Sequence, residues 1–415
     1  MITWRHISKA ISSLAMYDVC VIGAGVVGSA TARFLASRGK RTLLLEQFPL
    51  PHWRGSSHGQ TRVSRGSYPE EHYTKMFAEA QEMWKEIEAQ ENEELLVNFC
   101  RNVGMLNVQR DPGEEVQRII KSLMSSGEAF QFLSNEKLKD KYPELNFSNE
   151  YSGVLEQAGG ILKADKCLKA LQAQFIEFGG TLCDNEMVVE IVPGSLVHIK
   201  TTKNVFTAQC VILAAGPWTN KLLKPLGLQL PLRTTKAVVL YWKMRQPGAY
   251  SLQSGFPIFA DYIATGGLYV YAIPSFEYPG LVKFGATGKT IAADMCKGID
   301  PDLRDSGNDG EFVKIYVQKA SSYLKDHFPL IDHSEPAIIE SCIYTITPDW
   351  DFVLDKHPSF PNIVIGAGFS AHGFKHGPVC GKILAQLAMG EKPSFDLSSF
   401  KIERFTTPGN RKASL

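Results

Sequence analysis

Hydrophobic positions follow two rhythms along this chain, and the rhythm changes more than once. Near the start Val19, Cys20, Val21 and Ile22 form an unbroken apolar run, and Leu43 to Leu45 form another. Short runs without polar alternation predict strands buried on both faces, as in a parallel sheet. Between them Ala30, Phe34 and Leu35 share one face of a helix, and Gly39 sits where a helix C-cap belongs. Over 73–90, Met76, Phe77, Ala80, Met83, Trp84 and Ile87 recur at helical spacing and predict an amphipathic helix with a core-facing stripe. Helices are also predicted around 114–126 and over 165–178, the second closed by Gly179-Gly180 with a strand from about Thr181. Cys210 to Gly216 reads as a buried strand running into glycine, and Pro217 then opens a helix. From about 231 to 285 the pattern turns to short β segments, Val238 to Trp242, Leu268 to Ala272 and Leu281 to Phe284, separated by Pro and Gly. That predicts a largely antiparallel sheet. Helix returns over 310–328, Asn362 to Gly368 is strand and turn, and Val379 to Met389 is helix with Pro378 in its first turn.

The first strand–helix junction carries chemistry. It reads Gly23-Ala-Gly25-Val-Val-Gly28. Gly23 permits the tight turn, Gly25 lets a pyrophosphate approach the backbone, and Gly28 lets the helix pack close to the sheet. Glu46 ends the second strand, where an acidic side chain accepts from a ribose 2′-hydroxyl. Glycines alone are weak evidence, but strand, glycines, helix, second strand and acid stand here in order. An acid rather than a base at 46 favours NAD or FAD over NADP. Gly366-Ala-Gly368 looks like a second fingerprint and is rejected, because Gly373 and Gly377-Pro378 delay the helix and no strand with a terminal acid follows. A single nucleotide site fits a flavoprotein better than a two-nucleotide reductase.

Composition narrows the class without naming it. At 415 residues the chain suits about two domains. A net charge of +1 gives no reason to expect nucleic acid or an acidic membrane. No apolar run approaches the ~20 residues of a membrane helix. Eight cysteines occur without a Cys-x-x-Cys pair, so neither a metal site nor a disulfide framework is expected. In residues 1–16, Trp4, Ile7, Ile11 and Leu14 share a helical face with Arg5, His6 and Lys9 nearby, and no acid precedes Asp18. This is either a mitochondrial presequence or a leader before Met16. The C-terminal Ala413-Ser414-Leu415 is near the Ser-Lys-Leu peroxisomal address but lacks its basic residue. The polar loop over 49–69, rich in Pro, Gly, Ser and His, is long enough to be functional.

Five segments occur in order: Gly-Ala-Gly-x-x-Gly, Gly55-Ser-Ser-His-Gly-Gln-Thr-Arg62, Ala215-Gly-Pro-Trp-Thr-Asn220, Ser341-Cys342-Ile-Tyr-Thr-Ile-Thr-Pro-Asp349 and Gly368-Phe-Ser-Ala-His-Gly-Phe-Lys375. Together they resemble the monomeric sarcosine oxidase family, over about Tyr17 to 405. The resemblance implies an α/β chain with a glutathione-reductase-like, Rossmann-type FAD-binding domain and a second α+β catalytic domain with a mixed or antiparallel sheet. The expected division is 17–98, 161–230 and 340–395 for FAD and 99–160 and 231–339 for substrate, with 1–16 an extension and 396–415 a tail. It also implies FAD bound through a thioether at Cys342. The expected reaction is oxidation of a secondary amino acid (sarcosine, L-pipecolate or L-proline) to an imine, with dioxygen reduced to hydrogen peroxide. A monomer is expected, in the peroxisome or alternatively the mitochondrion.

Residue by residue, Arg65 and Lys375 match the family's carboxylate-binding pair. An arginine can engage a carboxylate through two hydrogen bonds and a lysine adds a point charge; solvated surface cations are the bland alternative. Arg62, His58 and Thr61 match positions lining the flavin, with Arg62 a counter-charge for it. On the residues alone His58 reads better as a loop-stabilising hydrogen bond. Tyr269 and Tyr344 match aromatics near the substrate, and would otherwise be core. Gly216 is placed at the diphosphate, with Trp218 and Asn220 structural around it, and Gly368, His372 and Gly373 are placed in the last flavin-binding turn. Lys283, flanked by apolar residues, is an edge-strand gatekeeper or a placed charge, and matches the family's oxygen-activating lysine. Cys342 packs by default as a small hydrophobe and matches the flavinylated cysteine. Two departures stand out: Thr287 where the family commonly has histidine, and Ala371 where it has glycine. Two other functions compete: a flavin dehydrogenase passing electrons to a protein or quinone, and a non-catalytic flavin-binding scaffold. Lys283 favours oxygen as acceptor, and the intact cation and cysteine set argues against a scaffold.

Overall fold

The computed structural model describes residues 16–91, 100–102, 104–110, 113–264, 268–274, 277–288, 298–303 and 310–406. Residues 1–15 of the expected 1–16 extension, and Ala413 to Leu415, lie outside them, while Met16 opens the first strand.

The strand Met16–Ile22 lies inside an eight-stranded sheet, parallel to Thr42–Leu45 on one side and to Val205–Leu213 on the other. Thr181–Cys183 extends the first edge, also in parallel. The long strand Val205–Leu213 forks: its first half pairs with Val197–Thr201, its second with Ile363–Ala367. Alternate residues explain the unbroken apolar runs. Val19, Val21 and Leu44 join one core, under the helices Val26–Ser37, Glu71–Ala89, Ala164–Glu177 and Gly377–Ala388. Cys20, Ile22, Leu43 and Leu45 join a second core on the opposite face. Gly381 lets two of these helices touch, since a Cβ there would stand 2.7 Å from the backbone nitrogen of Thr31.

The second sheet also has eight strands, in the order Ile338–Ile346, Arg233–Lys243, Leu281–Gly288, Leu268–Pro274, Ile258–Ala264, Met105–Arg110, Tyr151–Glu156 and Phe130–Leu133. Every pair is antiparallel except Ile258–Ala264 with Met105–Arg110, so the sheet is mixed. Val238, Leu240, Trp242, Val270, Ala272, Val282 and Phe284 point one way, into a core closed by the helix Gly310–His327. The two-residue period of a strand sends Tyr269, Tyr271, Lys283, Glu340, Cys342 and Tyr344 the other way, into a cavity.

Three local features differ from expectation. The loop over 49–69 contains the strand Thr61–Ser64, which pairs with Gly160–Lys163 in a small third sheet. The segment opened by Pro217 is a 3-10 turn, Gly216–Trp218, followed by the short helix Thr219–Leu223. The strand Ile338–Ile346 spans the expected domain boundary at 340 and hydrogen-bonds along Arg233–Lys243.

Candidate active site

One large cavity, about 3690 Å³, is lined by residues of both large sheets and of the polar loop. That is several times a pocket for a small ligand, typically about 300–1,000 Å³.

Its nucleotide end is the Gly23–Gly28 turn. Gly23 has φ +105, and a Cβ there would stand 2.5 Å from the carbonyl oxygen of Ala214. A Cβ on Gly28 would stand 1.8 Å from the carbonyl of Gly23, so the helix can start this close only with glycine. Gly23, Gly25 and Gly216 line the cavity, as does Trp218, whose indole donates to Asp302 at 2.6 Å. The helix Val26–Ser37 begins without an acid in its first turn, and its partial positive charge opens onto the cavity. Glu46 is buried, accepting from the amides of Ala24 at 2.9 Å and Phe48 at 3.1 Å. A carboxylate has about four lone-pair sites, so capacity remains for a ribose hydroxyl. These features fit FAD: the helix N-terminus would hold the diphosphate, Glu46 the ribose, and the rest of the cavity would hold the flavin. Asn220, expected to be structural, braces the adjacent loop by bonding both backbone groups of Leu230.

The Gly55–Arg62 loop is built around Arg62, whose guanidinium donates to the carbonyls of Thr61 at 2.8 Å, Ser56 at 2.9 Å and His58 at 2.5 Å. His58 Nδ1 meets the Gly55 carbonyl at 2.6 Å, the loop-stabilising bond that its residue type alone suggested. Ser56 Oγ donates to the carbonyl of Ile343 at 2.6 Å, which ties the loop to the strand carrying Cys342. Arg62, His58, Thr61 and Cys342 all line the cavity.

At the far end two more cations converge. Lys375 is buried, and its Nζ donates to the Tyr68 hydroxyl at 2.8 Å and the His372 carbonyl at 3.1 Å. The Arg65 guanidinium lies 4.0 Å from the centre of the Tyr68 ring. Burial first, then the charge of Arg65, holds the Lys375 ammonium well below its usual range. Burial and Lys375 likewise keep His372 and His376 neutral. The Arg65 turn rests on Glu156, which accepts from the amides of Gly66 at 2.6 Å and Ser67 at 2.9 Å. Burial raises the Glu156 carboxyl against those bonds. Tyr269 stands 5.2 Å from Tyr262 in an edge-on pair, and both line the cavity with Tyr271 and Tyr344.

The loop after Ile363–Ala367 supplies Phe369 to Lys375, Gly373 included, while Gly368 stands behind the wall at φ +64. Ala371 has φ +65, which explains a family glycine there, since a left-handed residue with a Cβ costs about 1–2 kcal/mol. Thr287 lies in the strand Leu281–Gly288, with its side chain outside the described residues.

Lys283 is buried on the second sheet. Its Nζ donates to Thr61 Oγ1 at 2.8 Å and stands 3.7 Å from Glu277 Oε1. Burial, then Arg62, pushes its pKa down to about 8. Thr61, expected at the cofactor, spends its hydroxyl on Lys283 and on Glu277, to which it donates at 2.8 Å. Sequence reasoning passed over Glu277, Tyr68 and Glu156. Tyr68 and Glu277 had a usable signal, lying three residues after Arg65 and six before Lys283 across Pro279-Gly280. Glu156 had none.

Residues 18–387 match the family model described as FAD dependent oxidoreductase. Peroxisomal sarcosine oxidase of Homo sapiens is 43% identical over 95% of this chain and 97% of its own. Monomeric sarcosine oxidase of an Arthrobacter strain is 32% identical over 94% of this chain and 96% of its own. Among solved structures, NikD, an amino acid oxidase of nikkomycin biosynthesis, superposes with a TM-score of 0.76 at 24% identity, covering 93% of this chain and 97% of its own. The chain belongs to the sarcosine oxidase family of FAD-dependent oxidoreductases and is an FAD-dependent oxidase acting on CH–NH bonds.

Proposed function

We propose that this chain oxidises a small secondary amino acid of the sarcosine, L-pipecolate or L-proline type, on FAD held covalently by Cys342. The observation that carries the reading is the convergence of Arg65 and buried Lys375 with Tyr68, Tyr262 and Tyr269 in the cavity that also holds the nucleotide-binding turn. Two cations with one nearby buried acid, Glu156, leave excess positive charge for a substrate carboxylate. That charge also lowers the pKa of the bound secondary amine, which must be neutral to lose hydride from the adjacent carbon. The tyrosines exclude water and give an apolar wall to an N-methyl group or ring. When bound, FAD accepts the hydride and passes two electrons to dioxygen. The balance is CH–NH plus dioxygen going to C=N plus hydrogen peroxide, the second proton coming from the amine. Lys283 supplies the fixed cation that favours superoxide formation, and Arg62 a second charge for the flavin. The human relative's name supports peroxisomal residence, and the bacterial relative's name supports a monomer.

The test is anaerobic mixing with sarcosine, L-pipecolate and L-proline, followed by air. Flavin absorbance should bleach with at least one of them, and one peroxide should appear per flavin reoxidised. No bleaching by any secondary amino acid would remove the substrate class. Bleaching without peroxide would favour a protein or quinone acceptor.

A further inference from the structure

The second sheet carries a charge that the reaction as described leaves unused. Glu277 is buried, its side chain 1% exposed, beside a Lys283 side chain 7% exposed. Its Oε1 accepts from Thr61 at 2.8 Å and from Tyr241 at 3.2 Å, and its Oε2 has no partner among the described residues. Both groups facing Oε1 are donors, so it acts as the acceptor for Thr61 and Tyr241. The chain of bonds is directional: Lys283 donates to Thr61, and Thr61 donates to Glu277.

We propose that Glu277 is the positioning residue of the oxygen-reactive lysine: through Thr61 and by its own charge it aims the Lys283 amine into the cavity and keeps it protonated. The inference rests on the reading of Lys283 given above. Among the described residues, the charged and titratable groups that act on the amine are these. Arg62, on Thr61–Ser64, opposes its charge, and so does burial, the larger effect. Glu277 and Glu340 favour it, as does a Cys342 thiolate only while it is not bonded to the flavin. The Tyr241 ring lies 5.5 Å beneath it. Glu340 accepts from Tyr278 at 2.9 Å, and its Oε2, 3.3 Å from the Tyr241 hydroxyl, competes with Glu277 for that group's single proton. Glu277 is thus the acid bonded to Lys283's own partner, Thr61. Without its charge, burial and Arg62 act against Glu340 alone in the holoenzyme, and the amine deprotonates at lower pH.

The readout is the carbon-13 resonance of Lys283 in holoenzyme labelled at lysine, assigned by its loss in Lys283→Met. In Glu277→Gln its titration midpoint should fall by about 1–3 pH units, and Glu277→Asp should fall between that and the native value. A midpoint unmoved in Glu277→Gln overturns the proposal. If Glu277→Gln fails to fold, an unmoved midpoint in Glu277→Asp does the same. Stopped-flow reoxidation should slow as pH rises through the lysine midpoint, and that limb should move with it in Glu277→Gln. Lys283→Met that reoxidises as fast as native protein would remove the oxygen role of the lysine and leave the Glu277 titration standing.

Discussion

Arg65 and Lys375 meet the same Tyr68 ring, and neither has a carboxylate directly against it among the described residues. Replacing either by alanine should cost ~2–5 kcal/mol in binding or transition-state stabilisation, because a desolvated carboxylate loses its partner. The check is kcat/KM together with the dissociation constant of a simple carboxylate inhibitor; unchanged values for either variant would remove it from the clamp. The pH dependence has a definite sign. Burial and Arg65 lower the Lys375 ammonium in the free site. A bound carboxylate favours the charged form, so above that lowered value binding takes up a proton. Affinity for an amine-free carboxylate should therefore fall as pH rises, and the slope should flatten in Lys375→Met. At Cys342 the prediction is chemical. A thiolate must attack the flavin, and the cationic side chains of Lys283 and Arg62 share its cavity wall. Acid-precipitated native protein should stay yellow and Cys342→Ser should release its flavin, whereas replacing Cys20, Cys167 or Cys380 should not. Flavin lost from native protein on denaturation would end the covalent assignment.

Among the elements, the junction of Met16–Ile22 with Val26–Ser37 is the most constrained. A Cβ on Gly28 would fall 1.8 Å from a backbone oxygen, and backbone cannot rotate away as a side chain can. Gly28→Val should displace the helix N-terminus and leave the chain with little FAD after purification, measured as the ratio of flavin to protein absorbance. Full flavin occupancy in this variant would show that the diphosphate sits elsewhere. Gly285 is the counterpart in the second sheet. It lies opposite Tyr271, and a Cβ there would stand 2.2 Å from the ring. Gly285→Val should push that ring off the cavity wall and cost about 1–3 kcal/mol by overpacking, read as a lower midpoint of thermal unfolding.

In the whole molecule, residues of both large sheets line the cavity, so FAD bound there would contact elements far apart in the chain. In Cys342→Ser that contact becomes reversible and obeys mass action. Free FAD at a hundred times its Kd should then stabilise the variant by about 2.7 kcal/mol. On the proposed covalent attachment, the native holoenzyme should unfold at a temperature independent of added FAD. Calorimetry at several FAD concentrations checks both; a Cys342→Ser midpoint that ignores FAD would contradict binding to the native fold.

Much of the first domain was legible in the chain because its causes are local. The run Val19–Ile22, the glycines at 23, 25 and 28, and the helical stripe over 73–90 each express a short-range requirement, whether burial on two faces, close backbone approach or one apolar face. The helix over 114–126 is ended by Gly127 in the left-handed conformation, again a local cause. The strand inside the loop over 49–69 was not legible, because Thr61–Ser64 is a strand only by virtue of Gly160–Lys163 beside it, about a hundred residues away. The boundary at 340 was invisible for the same reason, since pairing partners are chosen by the tertiary structure. The motif residues could be nominated from sequence, since a resemblance travels with the residues themselves. Glu277, Tyr68 and Glu156 belong to no motif, and what they do depends on which charge each one faces across the fold. Sequence alone determined which groups could carry the chemistry. Only the tertiary structure decided which acid answers which base, because a buried charge takes its value from neighbours brought within a few ångströms by folding.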